Sequence, residues 1–89
     1  MVWYGYSEER SHLGGVQRIY RFEASRYGAS VVRHMGSYGN EIGLWELAIT
    51  YNGTVCYTTP ITDDVIGYLT EDEVQKYLAQ IDALRDPPP

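Results

Sequence analysis

Hydrophobic and polar residues alternate along the middle of the chain with the two-residue period of β-strands. In the clearest run, Trp45, Leu47 and Ile49 fall on one face, and smaller or polar residues fall on the other. Three further runs alternate in the same way or are rich in β-branched residues. The predicted strands are 17–24, 28–35, 43–51 and 54–59.

The third and fourth strands are joined by Asn52 and Gly53, which tolerate the positive φ of a two-residue type I′ turn. With this turn, Ile49 lies opposite Cys56, and Cys56 shares the apolar face of the third strand. We therefore expect Cys56 to be a buried small hydrophobic residue rather than a reactive thiol.

A helix is predicted over 70–85. Thr70 and Glu73 have the spacing of a capping box, and Leu69 is placed to pack against Val74. Apolar residues then recur with helical period on one face. Together with the third strand, this face is expected to form the centre of the core. The residues expected there are Trp45, Leu47, Ile49, Val74, Leu78 and Ile81.

These elements predict an α+β fold, with a four-stranded, mainly antiparallel sheet and one C-terminal helix packed on one face. Residues 1–15 are expected to form a flexible arm or an edge segment, 16–85 a single domain, and 86–89 a proline tail. A single helical turn is expected over 62–67. The second face of the sheet and one edge strand stay open, which would allow homodimerisation or recruitment of another chain.

The length and charge of the chain restrict its function. A chain of 89 residues and 10.2 kDa holds one core and leaves no room for a large enzyme fold. The net charge of −5 argues against a generic phosphate-binding protein and favours basic partners. The charge is also uneven, because eight of the twelve carboxylates lie after residue 44. Such a polarised chain suits an oriented complex.

The cysteine count and the N-terminal residues indicate the compartment. Cys56 is the only cysteine, which excludes an intramolecular disulfide and a zinc site made of several cysteines. The first residues lack the pattern of an export signal, and no apolar run approaches the length of a membrane span. We therefore expect a cytoplasmic protein with no membrane contact.

The reactive residues do not form an enzyme motif. His12 and His34 each lack a metal-ligating neighbour at helical spacing, and no neighbour along the chain would activate Cys56. Asp63 and Asp64 are followed by apolar residues rather than by the alternating oxygen ligands of a calcium loop. We therefore expect a non-enzymatic protein without a metal or cofactor.

Tyrosine is unusually frequent, with nine residues in the chain. Tyrosines in the arm and loops, where packing demands less, are candidate protein contacts. Carboxylates around the start of the helix form a second candidate surface, suited to a basic or nucleic-acid-binding protein. The candidate partner contacts are Tyr4, Tyr6, Tyr38, Asp63, Asp64, Tyr68, Glu71 and Asp72.

An alternative function follows from the first strand, where arginines and aromatic residues are interleaved. Such a surface can stack the bases of single-stranded nucleic acid and pair with its phosphates. The candidate nucleic-acid contacts are Arg18, Arg21 and Arg33. The negative net charge of the chain disfavours this alternative.

Several segments carry a family resemblance. They are Tyr27–His34, Gly36–Gly39, Gly43–Ala48 and, most specifically, Thr59–Thr70. Over residues 27–84 the chain resembles small uncharacterised proteins of tailed phages and prophages that have no established activity. The resemblance implies a phage protein acting inside a bacterial cell and supplies no catalytic residues.

This setting and the small size of the chain favour a non-enzymatic protein-binding module that inhibits or modulates a host protein. An anti-defence factor of the anti-CRISPR type is one such module. The alternatives are a small single-stranded nucleic-acid-binding regulator and a virion assembly subunit.

Overall fold

The chain folds into an antiparallel β-sheet and one C-terminal α-helix in the computed structural model, which describes residues 3–87. This architecture confirms the predicted α+β class. The described strands are β1 (Glu8–His12), β2 (Gly15–Arg21), β3 (Tyr27–Arg33), β4 (Trp45–Tyr51), β5 (Thr54–Val55) and β6 (Ile66–Leu69), and the helix is α1 (Glu71–Asp82). The predicted arm and proline tail each include two residues outside the described part, namely Met1, Val2, Pro88 and Pro89.

The strands follow one another across the sheet in chain order from β1 to β5, and every described pairing is antiparallel. The short strands β5 and β6 pair with opposite ends of β4. Across the middle of the sheet, Tyr20 lies beside Ala29, and Ala29 lies beside Ile49. This register places the apolar residues of three strands on the face that packs against α1.

Two strands were not predicted, so the sheet has six strands where four were expected. Strand β1 falls within the segment 1–15, and it forms a hairpin with β2 through Leu13 and Gly14, whose φ values are +46° and +77°. All but the last residue of β1 are exposed, and its sequence lacks an apolar alternation. Backbone pairing and the turn therefore form this strand without a buried face.

The predicted helical turn over 62–67 is wrong. The Thr62 hydroxyl accepts a hydrogen bond from the Asp64 backbone N–H, and Asp64 Oδ1 accepts one from the Val65 N–H. These local side-chain bonds satisfy the backbone groups that a helical turn would have used. The chain then continues as β6, which pairs with β4 through an irregular register near Trp45.

The predicted core is confirmed. All six residues expected at its centre are buried, and Tyr20, Ala29, Val31 and Leu69 complete the cluster. The predicted capping box is also present, because the Thr70 side chain accepts from the Glu73 N–H and the Glu73 side chain accepts from the Thr70 N–H. Within residues 3–87, no helix has the length and apolar character needed to cross a membrane.

The expectation for Cys56 needs correction. The hairpin register is as expected, with Thr50 opposite Val55, and the Cys56 N–H donates to the Ile49 carbonyl over 2.8 Å. However, β5 ends at Val55 rather than at residue 59, and Cys56 is only half-buried. Its sulfur lies 3.3 Å from the Thr58 hydroxyl, which gives the thiol a polar neighbour that a core position would not provide.

Gly15 tests the close packing of the first hairpin against β3. A Cβ atom at this position would overlap the Arg33 carbonyl oxygen and lie 2.7 Å from the Cα atom of His34. We expect Gly15→Ala to lower the free energy of unfolding by about 1–3 kcal/mol, because backbone atoms must move apart. Urea unfolding provides the measurement.

Gly5→Ala is the matched control, since a Cβ atom at Gly5 would meet no atom within 4 Å. This variant should stay within about 0.5 kcal/mol of the parent chain. Equal unfolding midpoints for the Gly15 and Gly5 variants would contradict the described packing of the hairpin.

Candidate functional site

Hydrogen bonds of Tyr4 attach the N-terminal segment to α1. Its backbone N–H donates to Gln75 Oε1 over 2.7 Å, and its carbonyl accepts from Gln75 Nε2 over 2.9 Å. Its hydroxyl donates to Asp82 Oδ2 over 2.9 Å, and this hydrogen bond, with a smaller contribution from burial, raises the pKa of Tyr4. Tyr4 was a candidate partner contact, but its polar groups bind residues of the same chain.

Arg18 joins β1, β4 and α1. Its Nε donates to Glu9 and its Nη1 donates to Glu71, each over 3.0 Å. Its guanidinium carbon also lies 4.5 Å from the ring centroid of Trp45 and 5.4 Å from that of Tyr6. Burial lowers the pKa of Arg18, but the hydrogen bonds from Arg18 to the two carboxylates outweigh burial, and the net shift is upward.

The three candidate nucleic-acid contacts do not share a surface. Arg18 is engaged on the helix side of the sheet. Arg33 lies on the same side, where its guanidinium carbon is 4.3 Å from the Trp45 ring centroid and its Nη1 donates to the Gly43 carbonyl over 3.3 Å. Arg21 lies on the opposite face and is 3.7 Å from Glu8. The structure therefore does not bring these arginines together as a groove for one strand.

Exposed apolar side chains gather at one end of the sheet, where the β1–β2 turn, the β3–β4 loop and β6 meet. The rings of His12 and His34 lie 5.1 Å apart there and bring the turn beside the loop. Of the nine large hydrophobic side chains that are exposed within residues 3–87, five lie at this end. They are Leu13, Met35, Tyr38, Ile42 and Tyr68, and we call them the loop-end surface.

Tyr38 and Tyr68, two of the candidate contacts, form an exposed aromatic pair. Their ring centroids lie 6.4 Å apart, and each residue is 58% exposed. The Tyr68 N–H also donates to the Tyr38 carbonyl over 3.3 Å. Gly67 permits this approach, because a Cβ atom at that position would lie 2.5 Å from the Cβ atom of Tyr38.

Two residues of the loop-end surface have a strained backbone conformation. Leu13 has a φ of +46° and Tyr68 has a φ of +58°, in the left-handed region that favours glycine and asparagine. Such a conformation costs roughly 1–3 kcal/mol at a bulky residue. Neither exposed side chain recovers this cost by burial, so the strain points to a role outside the core.

Exposed carboxylates lie immediately before and after β6 along the chain. Asp63 and Asp64 precede β6 and Asp72 follows it, and all three are exposed. Glu71 is instead paired with Arg18. Within residues 3–87, no three His, Cys, Asp or Glu side chains are close enough together to hold a metal ion. Asp63, Asp64 and Asp72, which we call the acidic rim, therefore do not belong to a three-ligand cluster within the described residues.

Glu46, in β4, lies close enough to Asp64 of the acidic rim for the charge of Asp64 to affect its pKa. Burial raises the pKa of its carboxyl group, and the negative charge of Asp64 raises it further. Attraction to His34 and a hydrogen bond from the Tyr38 backbone oppose this shift without cancelling it. The Glu46 carboxylate therefore lies among residues of the loop and the rim.

Leu13, Met35 and Ile42 were not among the contacts predicted from the sequence. Leu13 precedes Gly14 and Gly15, and this spacing could have indicated a two-residue hairpin turn with an exposed leucine. Met35 and Ile42 lie in a glycine-rich loop whose sequence shows no period. Their exposure depends on how that loop packs, which local pattern does not reveal.

Comparisons with protein-family models, with curated proteins and with solved structures found no match to this chain. The geometry of residues 3–87 is therefore the basis of the functional interpretation. It defines a small domain with exposed apolar side chains at one end of its sheet and exposed carboxylates before and after β6.

Arg18 and Arg21 provide a matched test of the contacts on the helix side. We expect Arg18→Lys to lower the free energy of unfolding by about 1–2 kcal/mol, because an ammonium group cannot serve both carboxylates and stack on Trp45. Arg21→Lys, on the opposite face of the same strand, should change it by less than about 0.5 kcal/mol. Chemical unfolding of both variants measures the difference, and equal losses would contradict the role of Arg18.

Glu46→Gln tests the pH dependence of stability. Because the folded state raises the pKa of Glu46 above its ordinary value of 4.5, the folded chain holds this proton more tightly than the unfolded chain does. The carboxyl group therefore stabilises the fold in acid, and this contribution is lost as the pH rises through the folded pKa.

At pH 7, Glu46→Gln should accordingly raise the free energy of unfolding relative to the parent chain. The gain should shrink as the pH falls below the ordinary pKa of a glutamate. Unfolding curves recorded between pH 3.5 and 7 measure this trend. Glu41→Gln, which removes one negative charge at an exposed position, is the control for net charge. A gain from Glu46→Gln that stays constant at every pH would contradict the expected titration.

Proposed function

We propose that the protein is a non-enzymatic protein-binding module and that the loop-end surface is its contact face. The observation that carries this proposal is the gathering of five exposed apolar side chains at one end of the sheet. Contiguous exposed apolar surface with a polar rim is typical of protein interaction sites. Tyrosine is also common among the residues that dominate binding energy, which supports a central role for Tyr38 and Tyr68.

The negative charge of the acidic rim favours a partner with a basic surface. Asp63, Asp64 and Asp72 are exposed in the segments immediately before and after β6, which carries Tyr68, and the whole chain carries a net charge of −5. Complementary charge steers association and excludes partners of like charge. We therefore propose a partner that presents an apolar contact bordered by lysine or arginine, as many nucleic-acid-binding proteins do.

The resemblance to phage and prophage proteins supports a host protein as this partner. In that setting, the module would act in the cytoplasm of the bacterial host and would inhibit or modulate the protein that it binds. An anti-defence factor of the anti-CRISPR type fits this proposal, because blocking a basic nucleic-acid-binding surface needs no catalytic residue.

Site-specific photo-crosslinking in bacterial host cells tests the contact face. A photoreactive phenylalanine analogue at position 38 or 68 of the full chain should capture the same host protein. The analogue at position 57 is the matched control, since Tyr57 is 48% exposed but lies outside the loop-end surface. Capture of that protein with equal yield from position 57 would argue against this contact face.

Binding measurements with the captured protein then test the energetics. Tyr38→Ala and Tyr68→Ala should each weaken binding about thirtyfold, or ~2 kcal/mol, as expected for central contact residues. Tyr57→Ala should leave the affinity unchanged. Absence of any crosslinked host protein, or crosslinks only to virion proteins in purified particles, would overturn the proposed host target.

A further inference from the structure

A cavity of about 490 Å³ opens on the face of the sheet opposite α1, towards the end that carries the β2–β3 turn. Its floor is formed by side chains that point away from the helix, including Ile19, Ser30 and Thr50. Gly28 leaves room at the bottom of the cavity, because a Cβ atom there would lie 3.0 Å from the Thr50 hydroxyl oxygen. The volume is in the range of small-molecule sites in proteins.

The cavity is basic in an otherwise acidic protein. Three of the seven basic residues of the chain, Arg10, Arg21 and Arg26, line it, and no aspartate or glutamate from the described part of the chain does so. The negative net charge therefore does not describe this face. Low-dielectric walls concentrate the field of such charges within a cavity.

The arginine side chains are only partly neutralised. Glu8 lies outside the lining and is shared between Arg10, at 2.8 Å, and Arg21, at 3.7 Å. Arg26 has Asp86 at 3.9 Å, and the side chains of Arg21 and Arg26 are each 65% exposed. These guanidinium groups therefore have free donors that can turn towards a ligand in the cavity.

We propose that this cavity binds a small organic phosphate of nucleotide size. Several guanidinium groups around one opening suit a phosphate dianion, whose oxygens accept paired hydrogen bonds from arginine. Hydroxyl groups of Ser30 and Thr50 add polar contacts, and Ile19 and Val55 offer apolar surface for the organic part of the ligand. The site is separate from the loop-end surface, and its ligand is independent of the proposed protein partner.

An NMR titration of the full, isotope-labelled chain with adenosine monophosphate tests the proposal. Saturable shifts are expected at the backbone amides of Gly28, Ser30 and Thr50, and not at those of Tyr38 and Tyr68. Inorganic phosphate should compete at the same amides, because the arginines bind the phosphate group. The absence of saturable shifts with either probe would overturn the proposal.

Variants identify the charges that bind the probe. Arg10→Gln and Arg21→Gln should each weaken binding of adenosine monophosphate about tenfold, the usual loss for one charge-assisted hydrogen bond. Lys76→Gln is the control, because Lys76 is exposed on α1, on the other side of the sheet, and its loss should leave the affinity unchanged. An equal loss in all three variants would show a general charge effect and overturn the site.

Citrate binding tests whether the site selects phosphates, since citrate is an anion that carries carboxylates and no phosphate group. Citrate binding that matches or exceeds binding of the nucleotide, with the same dependence on Arg21, would overturn the assignment to phosphates. Weaker citrate binding would support it. Dispersed amide spectra of every variant establish that a lost interaction does not reflect unfolding.

Discussion

The guanidinium group of Arg18 is the contact that joins the N-terminal hairpin, the sheet and the helix. It lies over the ring of Trp45 in β4 while donating to Glu9 in β1 and to Glu71 at the start of α1. Stacking and paired hydrogen bonding at one planar group are properties that arginine combines and lysine does not. Three elements distant in sequence are thereby held at one point. The edge strand and the first turn of the helix acquire defined positions relative to the core.

The elements that could be predicted from the sequence are those fixed by local patterns. Trp45, Leu47 and Ile49 were recognisable as core because their burial follows directly from a two-residue period. The helix start was recognisable because Thr70 and Glu73 bind each other's backbone within one turn. Strands β1 and β6 have no comparable local signature, since their pairing depends on a turn, on the neighbouring strand and on distant side chains.

The candidate site could also be predicted only in part from the sequence. Tyr38 and Tyr68 could be named as candidate contacts because both were expected in loops, where packing demands less, although Tyr68 lies in β6. Their proximity could not be predicted, because it depends on pairing between β6 and β4 and on the absence of a Cβ atom at Gly67. Net charge was also a poor guide to the open face, where Arg10, Arg21 and Arg26 line a cavity without a carboxylate from the described residues. The net charge of a chain does not show how its charged residues are distributed between the two faces of a sheet.

Strain at the loop-end surface is connected to the Arg18 contact through the backbone. Leu13 keeps its positive φ because the hairpin of β1 and β2 closes around it, and β1 carries Glu9, one of the partners of Arg18. Tyr68 keeps its positive φ between the pairing of β6 and the start of α1, where Glu71, the other partner, lies. A strained residue persists only where its surroundings restrain it from both sides. The hairpin pairing of β1 with β2 and the pairing of β6 with β4 therefore restrain these two exposed apolar side chains at the end of the sheet. At the contact face proposed above, side chains that are already fixed would lower the entropic cost of binding.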